Sequence, residues 1–292
     1  DNRFEVFLAR DENGYKSYLS YLFKEKRSEI EAFRELVRNH SLSLTQMGLI
    51  ERKTDAVEHN KVSLDDAIKL YGINYWANQT AIDLLVHIHF NDYAGRLLAF
   101  PGQYTGFSIY IPEKQLPNAR ASRQIAQSVF DRVKKYFQVS DLPQESTGII
   151  EDSRLIALGA NGSLYSPSIF IEYGYIYESH LTNPKLRSFA IKEMAYQTYA
   201  GIKKYFESEK SLPDTATFPY EWKKEMGIGL RGDLDVFALQ IALMGEGVYS
   251  CGPTGNFGRC THGGVVNFQK KHGIPATGFV GPKTLTALNL LF

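Results

Sequence analysis

Ala81 to Phe90 (AIDLLVHIHF) is almost unbrokenly apolar and rich in branched side chains. A run this short and this continuous reads as a β-strand covered on both faces, because a half-exposed strand would alternate polar with apolar residues. Gly106–Ile111 (GFSIYI) and Ser168–Tyr173 (SIFIEY) repeat the pattern, and Phe4–Ala9 and Arg154–Leu158 also have strand composition. Buried strands need layers on either side, and the intervening sequence provides them. Between Ser122 and Phe137, the residues Ile125, Val129, Val133 and Tyr136 recur every three to four positions, which is an amphipathic helix. Asn183-Pro184 supplies an N-cap and an N1 proline for a helix lined by Leu186, Phe189, Met194, Ile202 and Phe206. Strands interleaved with helices of this length predict an α/β layered sheet flanked by helices.

Other stretches break this alternation. Residues 14–70 are charged and helical, and Ser63 with Asp66 forms a capping box for a helix through Ile68 and Leu70. Residues 208–229 are polar, hold Pro213 and Pro219, and lack periodicity, so they read as a linker. Beyond them come three short helical patterns, Asp233–Met244, His262–His272 and Pro282–Leu291, separated by glycine-rich turns and without a tandem repeat. A chain of 292 residues is expected to hold two domains, here 1–207 and an all-α three-helix bundle over 230–292. The 33 Lys and Arg nearly cancel the 32 Asp and Glu, so the basic footprint of a nucleic-acid binder is missing. No apolar run approaches the roughly 20 residues of a transmembrane helix. Asp1-Asn2-Arg3 carries no signal peptide, which an exported protein would have lost.

The tail contains, in order, RGDLDVFALQ (231–240), GNFGRCT (255–261), VVNFQ (265–269) and TGFVGPKT (277–284). These elements resemble the common peptidoglycan-binding domain, in which RGD-x-x-V-x-x-LQ, G-x-FG-x-x-T, AV-x-x-FQ and G-x-V-G-x-x-T recur in this order. Val236, Leu239 and Leu243 would face inward from the first helix. Gln240 and Gln269 are expected to tie loops to helices rather than to touch ligand, and Asp233 of the Arg-Gly-Asp triplet to cap a helix. Gly263-Gly264 stand where the family has alanine. Glycine costs a helix about 1 kcal/mol relative to Ala, so this helix is expected to start one turn later.

Three further stretches resemble the zinc-dependent N-acetylmuramoyl-L-alanine amidases: FEVFLARD (4–11), WANQTAIDLLVHIHFN (76–91) and PSIFIEYGYI (167–176). Ser122 and Ala126 fall where that family has its S-x-x-x-A helix. The resemblance covers most of residues 4–206, interrupted by the helical insertion. It implies a Zn2+ cofactor, with His89 at the family's second zinc histidine and Glu172 at its catalytic glutamate. Catalytic zinc keeps an open position where it polarises a carbonyl and acidifies water, and a glutamate across the site moves protons. A carboxylate ending the apolar run Ile169-Phe170-Ile171 otherwise needs an Arg or Lys partner. Asn78 and Asp83 match polar positions with structural roles. Tyr177 and Glu178 depart from the family's Ser and Asn.

His87 stands where the family has Ser. His87 and His89 alternate on one strand and so project to the same face; His87 is a substrate or metal-neighbour contact, a ligand, or structural. The family's first zinc histidine and its glutamate ligand lie upstream of the strand equivalent to Phe4–Ala9, so the chain is expected to begin inside the domain. His40, His59, His180, His262 and His272 fall on expected surface or turn positions. The resemblance implies hydrolysis of the amide between N-acetylmuramic acid and L-alanine in peptidoglycan. The alternative is a wall-binding relative without activity. The substrate implies an extracytoplasmic location, and residues 14–70 could answer a regulatory partner or be plain elaboration. Cys251 and Cys260 are the only cysteines, flank a turn-rich loop and are expected to form a disulfide, with two free thiols as the other possibility.

Overall fold

Phe4–Ala9, although strand-like in composition, forms no strand. A strand exists through its ladder, and the backbone bond that reaches this segment, from the Lys16 N–H to the Ala9 carbonyl at 3.0 Å, only continues the hairpin that follows. The Phe7 ring instead packs on Trp76 with centroids 5.5 Å apart, and the Tyr18 hydroxyl donates to the Leu8 carbonyl at 3.0 Å. The first strands are a short antiparallel hairpin, β1 (Arg10–Asp11) and β2 (Gly14–Tyr15). The computed structural model describes residues 4–50, 57, 62–93, 96–158, 165–207, 212–213 and 215–292. Its packing divides the chain into two units, Asp1–Ile88 with Ile109–Arg123 and Ile149–Ile171, and His89–Ser108 with Gln124–Gly148 and Glu172–Phe292.

In the first unit the expected helical insertion forms α1 (Ser17–Glu25), α2 (Arg27–Gln46) and α3 (Leu64–Thr80). Ile30 and Val37 lie two turns apart on α2 and bury against Ile68 and Tyr71 of α3. The Ser63 hydroxyl accepts from the Asp66 N–H at 3.1 Å, as its capping position predicts. Ala81 ends α3 in the left-handed conformation with φ 53°.

The apolar runs form β3 (Leu85–Asn91), β4 (Ser108–Pro112) and β6 (Ser168–Tyr175), which with β5 (Ile149–Asp152) make a four-stranded sheet of order β3-β6-β4-β5. β4 and β5 are parallel, Ile109 facing Ile149. The strand expected at Arg154–Leu158 lies earlier, and Ile156–Leu158 is a 3-10 turn. Asp152 is the reason: its Oδ1 accepts from the Arg154 and Leu155 N–H groups at 2.6 and 2.8 Å, turning the chain out of the sheet. On the same unit the Ser122 hydroxyl accepts from the Ser168 N–H at 2.8 Å, fixing the start of α4 (Ala119–Val133) to the start of β6.

In the second unit Ile125, Val129 and Val133 of α4 are fully buried. α6 (Pro184–Phe206) follows the single turn α5 (Ser179–Thr182), and Asn183 caps it through the Lys185 N–H at 3.0 Å. Gly201 lets α6 approach α4: a Cβ there would lie 2.5 Å from the Val129 Cα. Buried Arg132 donates to Gln197 Oε1 at 2.9 Å and to the Pro213 and Ala216 carbonyls at 2.8 and 3.0 Å. Glu193 Oε2 accepts from the Phe218 N–H at 2.8 Å. Parts of the stretch expected as linker are therefore built into this unit, and Trp222 and Met226 are also buried; residues 208–211 and 214 lie outside the described residues.

The tail forms α7 (Leu234–Gly245), α8 (Arg259–Lys271) and α9 (Pro282–Leu291). Asp233 caps α7 by accepting from the Val236 N–H at 3.2 Å. α8 starts at Arg259, not one turn later as its glycines suggested. Gly264 sits against Tyr249, where a Cβ would meet Cδ2 at 3.0 Å, so close packing explains the residue. Gln240 Oε1 accepts from the Thr254 and Gly255 N–H groups at 2.8 and 2.9 Å, and its Nε2 donates to the Asn256 carbonyl at 3.0 Å and Thr261 Oγ1 at 2.8 Å. Gln269 does the same for Gly278, Phe279 and Thr284 at 2.9, 2.8 and 3.0 Å. The tail thus contains a repeat that was not expected: T-G-x-x-G-x-x-T occurs at 254–261 and 277–284, each copy wrapped around a glutamine. Cys251 and Cys260 are joined, with Cα atoms 6.5 Å apart.

Candidate active site

β3 and β6 bring the expected site residues side by side. The Leu85 N–H donates to the Pro167 carbonyl at 2.9 Å, which pairs Leu85 with Ser168. The ring contacts keep the same offset: His87 stacks on Phe170 at 6.1 Å, and Phe90 meets Tyr173 at 6.0 Å. Carried along the ladder, that register sets His89 of β3 abreast of Glu172 of β6. Neighbouring in-register residues share a face, so His89 and Glu172 project together, and alternation puts His87 on their side. Tyr173, on the opposite face, bonds Thr198 of α6 through its hydroxyl at 2.5 Å.

Among the described residues Glu172 has no cationic partner, and its buried Oε2 makes no hydrogen bond. Burial, and then the negative charge of Glu145, push its pKa up to about 8. The charge that acts on it is that of another acid, Glu145, rather than the Arg or Lys partner of a purely structural glutamate. Desolvation disfavours the charged form, so Glu172 holds a proton near neutrality and can exchange it there. His89 is exposed on the open side of β3, yet protein on its other side partly desolvates the imidazole and lowers its pKa. The neutral ring is the form that binds a metal.

Glu145 was not foreseen. It lies in the 3-10 turn Pro143–Glu145, almost wholly buried, and accepts from the Ser140 hydroxyl at 2.5 Å. Its sequence context, Leu-Pro-Gln-Glu-Ser, reads as a surface turn and carries no signal of burial. Tyr177 and Glu178 give the loop after β6 its shape. Glu178 Oε1 accepts from the Tyr175 and Gly106 N–H groups at 2.8 and 2.9 Å, and the Tyr177 hydroxyl donates to the Tyr104 carbonyl at 2.6 Å. Asn78 lies in the last turns of α3, and Asp83 is exposed between α3 and β3.

His180 corrects the surface expectation. It is buried against Phe137 and against Phe237 of α7, with centroids 5.8 and 6.4 Å away, because the first helix of the tail covers the turn that holds it. Desolvation pushes its pKa down to about 4. His40 is exposed, His262 and His272 are partly exposed, and His272 Nε2 lies 3.1 Å from Glu246 Oε2. His59 lies outside the described residues.

For a zinc ion the donor chemistry is apt but partial. His89 offers an imidazole beside an orphaned buried carboxyl oxygen, and His87 shares its face. Among the described residues no group of three or more His, Cys, Asp or Glu side chains could hold a metal ion.

Comparison with known proteins bears on the whole chain. Residues 232–288 match the peptidoglycan binding domain family. N-acetylmuramoyl-L-alanine amidase CwlM of Mycobacterium tuberculosis is 39% identical over 67 residues, a stretch spanning 23% of this chain and 16% of that protein. Among solved structures, the amidase Ami1 of Mycobacterium abscessus is 17% identical with TM-score 0.38, over 70% of this chain and 84% of its own. The CwlD amidase of Clostridioides difficile, solved with the GerS lipoprotein, is 16% identical with TM-score 0.36, over 68% and 91%. Similarities this low leave the assignment to the sequence families. Residues 25–204, well over half the chain, match the N-acetylmuramoyl-L-alanine amidase family, starting after the Phe4–Asp11 stretch. By that match, which spans β3, α4 and β6 together, the chain belongs to the N-acetylmuramoyl-L-alanine amidase family and carries a peptidoglycan binding domain behind it.

Proposed function

We propose that this protein hydrolyses the amide between N-acetylmuramic acid and the L-alanine of the stem peptide in peptidoglycan, outside the cytoplasm. The observation that carries the reading is the orphaned Glu172 carboxyl, in register with His89 inside the family match. Glu172 takes a proton from the attacking water and delivers it to the leaving amine. A group with a pKa near the working pH does both well, which is what burial and Glu145 produce. His89 would give its imidazole to zinc, with His87 beside it. Bound zinc would supply polarisation of the carbonyl and acidification of water. Residues 1–207 form the catalytic part and 230–292 hold the wall polymer. Residues 14–70, where Leu36 and Met47 are exposed, are the part through which a regulatory partner would act.

The test is Glu172→Gln on purified sacculi. Release of stem peptide should fall by roughly 10²-fold or more with folding and zinc content unchanged. Unchanged release would refute the role of Glu172, and sacculus binding without hydrolysis by the unaltered protein would favour an inactive wall-binding relative. Elemental analysis of His89→Ala and His87→Ala should show zinc following His89; equal losses would make both histidines ligands.

A further inference from the structure

We propose that His180 is a pH-sensitive latch between the turn α5 and the peptidoglycan binding tail: while its imidazole is neutral the tail stays seated through α7, and protonation favours release. All the residues concerned belong to the second unit, and the proposal does not depend on hydrolysis.

The contact is one of close approach. A Cβ on Gly232 would lie 3.1 Å from Asn183 Nδ2, and one on Gly255 3.0 Å from Leu186 Cδ1, so two tail glycines let the chain come down on the start of α6. Phe237 of α7, fully buried, meets the Phe189 ring of α6 at 6.2 Å and the His180 ring at 6.4 Å. Phe137, past the end of α4, meets the same imidazole at 5.8 Å. His180 is only 9% exposed, and its enclosed Nε2 makes no hydrogen bond. An imidazolium donates from both nitrogens and carries a charge, which this apolar enclosure would leave unsatisfied.

The charged groups around the ring are committed elsewhere. Glu178, on the same turn, has Oε2 4.0 Å from His180 Nδ1 and gives Oε1 to the Tyr175 and Gly106 N–H groups at 2.8 and 2.9 Å. Arg187 of α6 donates to the Leu181 and Thr182 carbonyls at 2.5 and 3.3 Å. Asp233 and Asp235, before Phe237, hold Lys224 at 2.7 and 2.8 Å. On either side of Phe137, Lys134 pairs with Asp131 at 2.7 Å and Asp141 accepts from the Thr105 N–H at 2.7 Å. Burial is what drives the His180 pKa down to about 4. Burial also raises that of Glu178, so a falling pH removes the negative charge that could hold an imidazolium. On release the ring meets water and regains its ordinary value of 6.5. Between those values the released state binds more protons, so docking weakens as pH falls. From pH 7 to pH 5 the docking constant drops about 20-fold.

Leu186→Cys in the whole chain places a thiol under the tail, where the side chain is 1% exposed. Its labelling rate with a disulfide reagent at pH 7, 6 and 5, divided by the rate in the denatured chain at the same pH, gives the opening constant. This constant should rise about 20-fold from pH 7 to pH 5. With His180→Phe added, or His180→Gln if that variant does not fold, it should stay nearly constant. Glu193 of α6, pushed up to about 7 and accepting from the Phe218 N–H, titrates with and without His180 and cancels. Ile125→Cys, fully buried on α4, reports global unfolding and should stay protected at every pH. An opening constant unchanged by pH, a rise that persists without His180, or an Ile125→Cys thiol exposed as readily as that of Leu186→Cys would overturn the proposal.

Discussion

Glu172→Gln should make the protein more stable, and by an amount that grows with pH. Folding raises this carboxyl from its ordinary value of 4.5 to about 8. Between those values the folded state binds more protons than the unfolded one, so rising pH favours unfolding. The loss starts as pH climbs past the unfolded value and levels off above the folded one. Each pKa unit corresponds to about 1.4 kcal/mol, so by pH 7 the carboxyl has cost the fold roughly 3 kcal/mol relative to pH 4.5. Glutamine is neutral throughout and removes that term. Urea unfolding of both proteins at pH 4.5, 6, 7 and 8, in EDTA so that no bound cation holds the carboxylate, measures the difference. Glu193, pushed up to about 7, and His180, pushed down to about 4, titrate in both proteins and cancel in the comparison. A stability difference that stays the same across this range would refute the buried, unpartnered state assigned to Glu172.

Gln240→Ala leaves the Thr254 and Gly255 N–H groups without their acceptor, so it should destabilise the tail by about 3 kcal/mol, read by thermal denaturation. Cys251 and Cys260 close a loop with a sequence separation of 9. Reducing them should cost roughly 2–3 kcal/mol, and thiol titration of the denatured, non-reduced protein should find none free. Gly201→Ala drives a methyl into the α4 backbone. Helix propensity alone would favour alanine by about 1 kcal/mol, so a loss of stability on calorimetry supports the close helix contact, and a gain contradicts it.

Local pattern was enough for much of this protein. The apolar runs at 85–91, 108–112 and 168–175, the caps at Ser63, Asn183 and Asp233, and the three helices of the tail were all legible, because each depends on residues within a few positions of one another. His89 and Glu172 were singled out by a family resemblance, since both lie in short ordered motifs. Other features required the folded chain. Phe4–Ala9 has strand composition, but a strand needs a neighbour, and composition names none. Asp152 ended a strand through two backbone hydrogen bonds that its residue type allows but does not announce. The polar stretch before the tail became partly buried because Arg132, more than eighty residues upstream of Ala216, reaches its carbonyls. His180 looked like a surface residue and is buried because Phe237 of α7 packs over it, and Glu145, in a polar turn, is buried with its carboxylate on the Ser140 hydroxyl. Burial and charge proximity set the proton affinity of a side chain, and both are properties of three-dimensional neighbours. The sequence therefore determined where the ionisable residues lie in the motifs, and tertiary packing decided which of them lost water and so changed proton affinity.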